Sequence, residues 1–236
     1  MKKSFIAIVV TAALASSVMA QGLVNFSGGT SAATRTSTNS VVGGVSTGLT
    51  VGGTTSFYYA LFASSANSTI NGSSAGISGT NANYVFNNLA GWTFVGMATN
   101  NASAGRFNAA TQGAAQSALN GDGSLTVSGI AGANTANLVV VGWAYNTLTG
   151  TIGNTLQALE NWYSAGANGG WIGQSAIASV TLGDGGSVIT PNPFGSGAGQ
   201  VGGILLGETP SVPEPGSIAL AVIGAGSLLM FRRKNK

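Results

Sequence analysis

Residues 55–62, TSFYYALF, and 137–145, NLVVVGWAY, decide the fold, and neither carries a charge. In an extended chain successive side chains point to opposite faces, so Phe57, Tyr59 and Leu61 share one face and Tyr58, Ala60 and Phe62 the other. The second segment sets Val139, Val141, Trp143 and Tyr145 against Leu138, Val140 and Ala144. Both faces of both segments are apolar, as in strands at the centre of a sheet that is covered on each side.

Six further runs read as strands, at 22–26, 41–51, 92–97, 124–130, 175–182 and 201–206, each bounded by glycine or asparagine clusters that permit turns. Eight short strands predict an all-β chain, a single β-sandwich or jelly-roll-like domain. One short helix interrupts them. Asn154 is its expected cap, Gln157 sits where a capping box wants it, Leu156, Leu159 and Tyr163 recur on one face, and Gly166 ends it. This helix is expected against a sheet edge. Long loops are expected at 64–79, 100–121 and 191–199, and the absence of a fixed-period repeat counts against a propeller or solenoid.

The 236 residues include 38 glycines, no cysteine, no histidine, and only 6% charged side chains, against roughly 25% in an average soluble protein. Thiol nucleophiles, disulfides, histidine acid–base catalysis and His/Cys metal sites are excluded because the groups are missing. The net charge of +3 is a property of the ends, where Lys2, Lys3, Arg232, Arg233, Lys234 and Lys236 lie. Between them Arg35 and Arg106 face Asp122, Glu160, Asp184, Glu208 and Glu214, so the interior of the chain is net acidic. Two scattered arginines make no nucleic-acid footprint.

Residues 1–20 run from Lys2 and Lys3 through an apolar stretch to Val18, Met19 and Ala20, the order of a secretory signal peptide. Signal peptidase is expected to cut between Ala20 and Gln21. At the other end, Val212, Pro213, Glu214 and Pro215 precede an apolar run at 217–231 (SIALAVIGAGSLLMF) and then the basic tail Arg232, Arg233, Lys234, Asn235 and Lys236. Fifteen helical residues reach ~22 Å, short of a ~30 Å hydrocarbon core, so the span relies on the basic side chains snorkelling at its end. The positive-inside rule leaves the tail cytoplasmic and the body outside. The prolines keep residues 212–216 extended, the form a protease binds.

This tripartite end resembles the PEP-CTERM sorting signal of Gram-negative bacteria. The resemblance implies processing by an exosortase, an integral membrane enzyme resembling a protease-transpeptidase. Val212, Pro213, Glu214 and Pro215 are then substrate residues read by that enzyme, and none of them is catalytic. The domain plan that results is a signal peptide at 1–20, a β-rich extracytoplasmic domain at 21–207, a stalk with the motif at 208–216, a membrane segment at 217–231 and a cytoplasmic tail at 232–236. A tail anchor behind a proline-rich linker is the plain alternative.

Nothing in the spacing of Asp122, Glu160, Asp184 and Glu208 suggests a catalytic carboxylate pair. Asp122 in Asn-Gly-Asp-Gly and Asp184 in Gly-Asp-Gly-Gly read as turn residues, with too few carboxylates for calcium and no lysine for a nucleotide loop. No catalysis, cofactor or metal is expected. Trp92 and Trp143 read as core, whereas Trp162 and Trp171, flanking a glycine-rich loop at 166–170, are candidates for stacking on a sugar. The expectation is a non-catalytic envelope or extracellular-matrix protein, exported as a membrane-anchored precursor and sorted to the surface. The alternatives are a lectin-like module for extracellular polysaccharide and a self-assembling fibre.

Overall fold

A computed structural model describes residues 21–29, 31–39, 48–50, 57–79, 82–101, 103–109, 123–145, 155–167 and 169–209. The signal segment, the sorting motif, the span and the basic tail lie outside the described residues, as do Asp122, Asn154 and most of 41–51. Among the described residues there are thirteen strands in two sheets, eleven in one and two in the other, and a single α-helix.

The two segments that opened the sequence reading form the centre. They are β5 (Phe57–Ser64) and β10 (Thr135–Tyr145), antiparallel, with Ala144 opposite Phe57 and Val140 opposite Leu61. The predicted alternation holds on both. Phe57, Tyr59, Leu61, Leu138, Val140 and Ala144 enter one core, while Ala60, Phe62, Val139, Val141 and Trp143 enter a second on the opposite face. Large side chains buried on both faces contribute roughly 1.5–3 kcal/mol each, so this strand pair has the largest share in holding the layers together.

The first core is closed by β1 (Gln21–Asn25) paired with β9 (Ser124–Ala131), whose Val24, Leu125 and Val127 lie over the large sheet. Outward from β5 come β7 (Thr93–Asn100), β8 (Phe107–Asn108) and β2 (Ser27–Gly28). On the other side of β10 lie β11 (Gly170–Gln174), β13 (Leu205–Glu208), β3 (Ser37–Asn39) and β4 (Gly48–Leu49), with β13 and β3 parallel. Two short strands branch from this path, β6 (Ile77–Ser78) on β11 and β12 (Ala178–Thr181) on β10.

Several expectations need correction. Residues 175–182 do not form one strand, because the chain steps from β11 to β12 at Ser175. There the Ser175 amide donates to the Val140 carbonyl at 2.8 Å, and its hydroxyl accepts from the Val140 N–H at 3.0 Å, restoring the sheet bonds that the step would lose. The last strand starts later than 201–206 and pairs through Glu208, and Thr209 beyond it is buried, so packed chain continues two residues past Gly207. The glycine-rich loop ends sooner than its composition suggests: Gly170 and Trp171 already pair with Tyr145 and Ala144 in β11.

The helix α1 (Leu156–Ser164) is capped by Thr155, whose hydroxyl accepts from the Ala158 N–H at 3.2 Å. Asn154 is therefore not the cap, and Gln157 bonds to Asn161 one turn on at 3.0 Å instead of closing a capping box. At the C-terminus Ala167 N–H reaches the Trp162 carbonyl and Gly166 N–H the Tyr163 carbonyl, each at 3.0 Å, a Schellman closure with Gly166 at φ +100°. The apolar stripe lands where the periodicity put it, but on a sheet face, not an edge. Leu156, Leu159, Trp162 and Tyr163 cover Val139, Val141, Trp143 and Ile172.

Candidate functional site

The second core is completed by the loop between β5 and β7, which brings Ile70, Tyr84, Val85, Phe86 and Trp92 onto the same sheet face as α1. Three polar contacts fix that loop. Gln174 of β11, only 3% exposed, accepts from the Val85 N–H through Oε1 at 2.8 Å. The Tyr84 hydroxyl donates to the Gly79 carbonyl at 2.7 Å, and the Tyr163 hydroxyl to the Ala82 carbonyl at 2.6 Å. Tyr84 and Phe86 stack in parallel with ring centres 5.5 Å apart, and Tyr163 meets both edge to face. Burial pushes both tyrosine hydroxyls above their usual pKa, which keeps them protonated donors.

Between this loop and α1 lies an open-sided groove of about 560 Å³, lined by Phe86, Asn87, Glu160, Tyr163 and Ser164. It combines an aromatic wall with a carboxylate, an amide and a hydroxyl. Such a set can hold a polyol ring, its C–H face against the aromatic wall and its hydroxyls on the oxygen and nitrogen groups. Glu160, which showed no catalytic spacing in the sequence, is one of its walls.

Sequence reasoning missed this groove. The signal was the run Asn83-Tyr84-Val85-Phe86-Asn87-Asn88, two aromatics framed by amides inside a stretch poor in other large residues. The two tryptophans proposed as a stacking pair are both half-buried, but they project to opposite faces of the large sheet. Trp171 packs with the first core and with Phe57 at 6.4 Å, and Trp162 packs with the second core. They meet at the backbone of Gly170 but form no common platform. Trp92 and Trp143 are core residues, 6% and 0% exposed.

Asp184 is a turn residue, as its glycine setting implies. Its carboxylate accepts from the Gly186 and Val188 N–H groups, each at 2.8 Å, and from the Ser187 hydroxyl at 2.9 Å. These donors hold its pKa below the usual carboxylate range. Glu208 ends β13 opposite Trp171. Among the described residues no group of three or more His, Cys, Asp or Glu side chains converges to hold a metal ion. Among the same residues no helix is long and apolar enough to cross a membrane.

The stalk root is a small clasp. Thr209, 2% exposed, donates its N–H to the Gly170 carbonyl at 2.7 Å; its hydroxyl accepts from the Gly170 N–H at 2.7 Å and donates to the same carbonyl at 3.0 Å. Val212, Pro213, Glu214 and Pro215 follow within six residues. No curated protein and no solved structure matches the chain. Residues 211–234 do match a family model, that of the PEP-CTERM protein-sorting motif, so the chain carries the sorting signal of an exported, surface-sorted exosortase substrate.

Proposed function

We propose that the chain is a non-catalytic protein of the cell envelope or extracellular matrix of a Gram-negative bacterium. It is exported through its signal peptide, held by residues 217–231 in the inner membrane, and processed by an exosortase at Val212, Pro213, Glu214 and Pro215. The match at 211–234 is the observation that carries this reading. The match begins two residues after Thr209, the last described residue of the body. Mass spectrometry of the terminal peptides of protein recovered from cells and medium tests it. The expected mature chain starts at Gln21 and lacks Arg232, Arg233, Lys234 and Lys236; an intact basic tail in all mature material refutes the sorting step.

A second reading is favoured by the groove. Its aromatic wall, Glu160 and Asn87 suit a neutral sugar unit of an extracellular polysaccharide, with the site moved from Trp162 and Trp171 to Phe86 and Tyr163. Affinity electrophoresis in polysaccharide gels is the test. Retardation that Glu160→Ala abolishes supports it, and unretarded migration across a broad glycan panel removes it.

A further inference from the structure

The chain leaves the body at one end of the large sheet. A single row of that sheet runs Glu208, Trp171, Ala144, Phe57 across β13, β11, β10 and β5, and Gly170 with its bound Thr209 sits one step beyond it. Trp171 stands on one side of this row. Trp162 lies on the other, so close to Gly170 that a Cβ there would come within 3.0 Å of the indole. Two of the four tryptophans, the two that are not core residues, thus bracket the point of exit.

Reach makes this placement consequential. Thr209 and Ser217, the first residue of the apolar span, are eight residues apart, and a fully extended chain covers at most about 29 Å over that length. The exit end therefore cannot lie farther than this from the bilayer while the span is embedded. The row Glu208, Trp171, Ala144, Phe57 carries a single charged side chain, that of Glu208. An approach to the headgroup layer there brings one side-chain charge from that row to the interface, where headgroup water still solvates it.

We propose that, in the precursor, the end bearing Thr209, Gly170, Trp162 and Trp171 rests on the bilayer, with both indoles seated in the lipid headgroup region. Half-buried indoles suit that layer, because a tryptophan keeps its ring in apolar surroundings and its N–H in contact with polar groups. This inference rests on the proposed membrane-anchored precursor. It gives Trp162 and Trp171 a use that needs no shared stacking platform, and it fixes which face of the body meets the membrane before processing.

The test is tryptophan emission of the full chain reconstituted in phosphatidylcholine vesicles whose acyl chains carry bromine, a short-range quencher. Tail insertion is read in the same vesicles from protection of residues 217–231 against added protease. With the span inserted, emission should be quenched relative to unbrominated vesicles, and the variant W162F/W171F should lose that quenching while core Trp92 and Trp143 still report a folded body. Equal emission in the two vesicle types with the span inserted overturns the docking and leaves this end facing water or the processing enzyme. Quenching that persists undiminished in a folded W162F/W171F also overturns it. An unprotected tail removes the anchored precursor, and the docking falls with it, by a readout separate from the emission.

Discussion

Gln174→Met puts the positioning of the groove under direct test. The substitution keeps side-chain length and volume nearly constant, so it leaves no large cavity at a site that is 3% exposed. What it removes is the acceptor for the Val85 N–H, a 2.8 Å bond between β11 and the turn that carries Phe86 and Asn87. A buried donor left without a partner costs ~1–3 kcal/mol. For a chain of this size each kcal/mol lowers the melting temperature by roughly 2–4 °C. Urea unfolding should show the loss as a lower midpoint at unchanged slope, since the surface exposed on unfolding is the same. Near-ultraviolet circular dichroism should weaken as well, because the Tyr84–Phe86 stack sits on the turn that Gln174 holds. A melting temperature within a degree of the parent, with the aromatic signal intact, would refute the reasoning: the turn would then be held by its own packing, and Gln174 would be a passenger.

Three further outcomes are expected. Thr209→Val keeps the shape and the main-chain bond but strands the buried Gly170 N–H, and should cost ~1–3 kcal/mol in chemical unfolding; a neutral result would mean that the clasp does not close the fold. Gly199 has φ +75° and lies against the Ser179 carbonyl where a Cβ would sit, so Gly199→Ala should lower stability by ~2 kcal/mol or more, seen as a fall in melting temperature. Burial pushes the Tyr59 hydroxyl up to about 12, with Thr50 and Thr36 opposing the rise. A raised acid pKa means that its stabilising share is complete below pH ~10 and is lost as pH climbs towards 12, on the order of 2–3 kcal/mol, so Tyr59→Phe should flatten that alkaline decline in pH-dependent unfolding.

The two central strands were legible because alternation on two apolar faces leaves few other folds open, and β5 and β10 put Phe57, Tyr59, Leu61, Leu138 and Val140 on one face and Ala60, Phe62, Val139, Val141 and Trp143 on the other, as predicted. The helix was legible from Leu156, Leu159 and Tyr163, though its cap was displaced by one residue: Asn and Thr are both good caps, and which one serves depends on the entry path of the chain. What the sequence hid was long-range. β11 is five residues with two glycines, and it becomes a strand because β10 and β13 offer hydrogen bonds on both sides. The groove needs residues 86–87 and 160–164 to meet, and nothing local in either segment announces the other. The sorting signal was readable for the opposite reason: its motif, apolar run and basic tail follow one another along the sequence at 211–234, so no long-range pairing is needed to see it.

The boundary between the body and its address follows from the same chemistry. β13 pairs on both sides, with β11 and with β3, and its ladder has room to run on only if the next residues can donate N–H groups. Pro210 follows Thr209 directly, and Pro213 and Pro215 lie in the motif, each lacking that donor. Thr209 carries the β13 register one residue further along β11, with its N–H and its hydroxyl both on Gly170. Pro210, Pro213 and Pro215 withhold three of the N–H donors that a longer ladder would need, which disfavours strand pairing beyond Thr209. The body itself has few charges and is held by burial and by neutral hydrogen bonds such as those of Gln174, Ser175 and Thr209, none of which involves the motif residues.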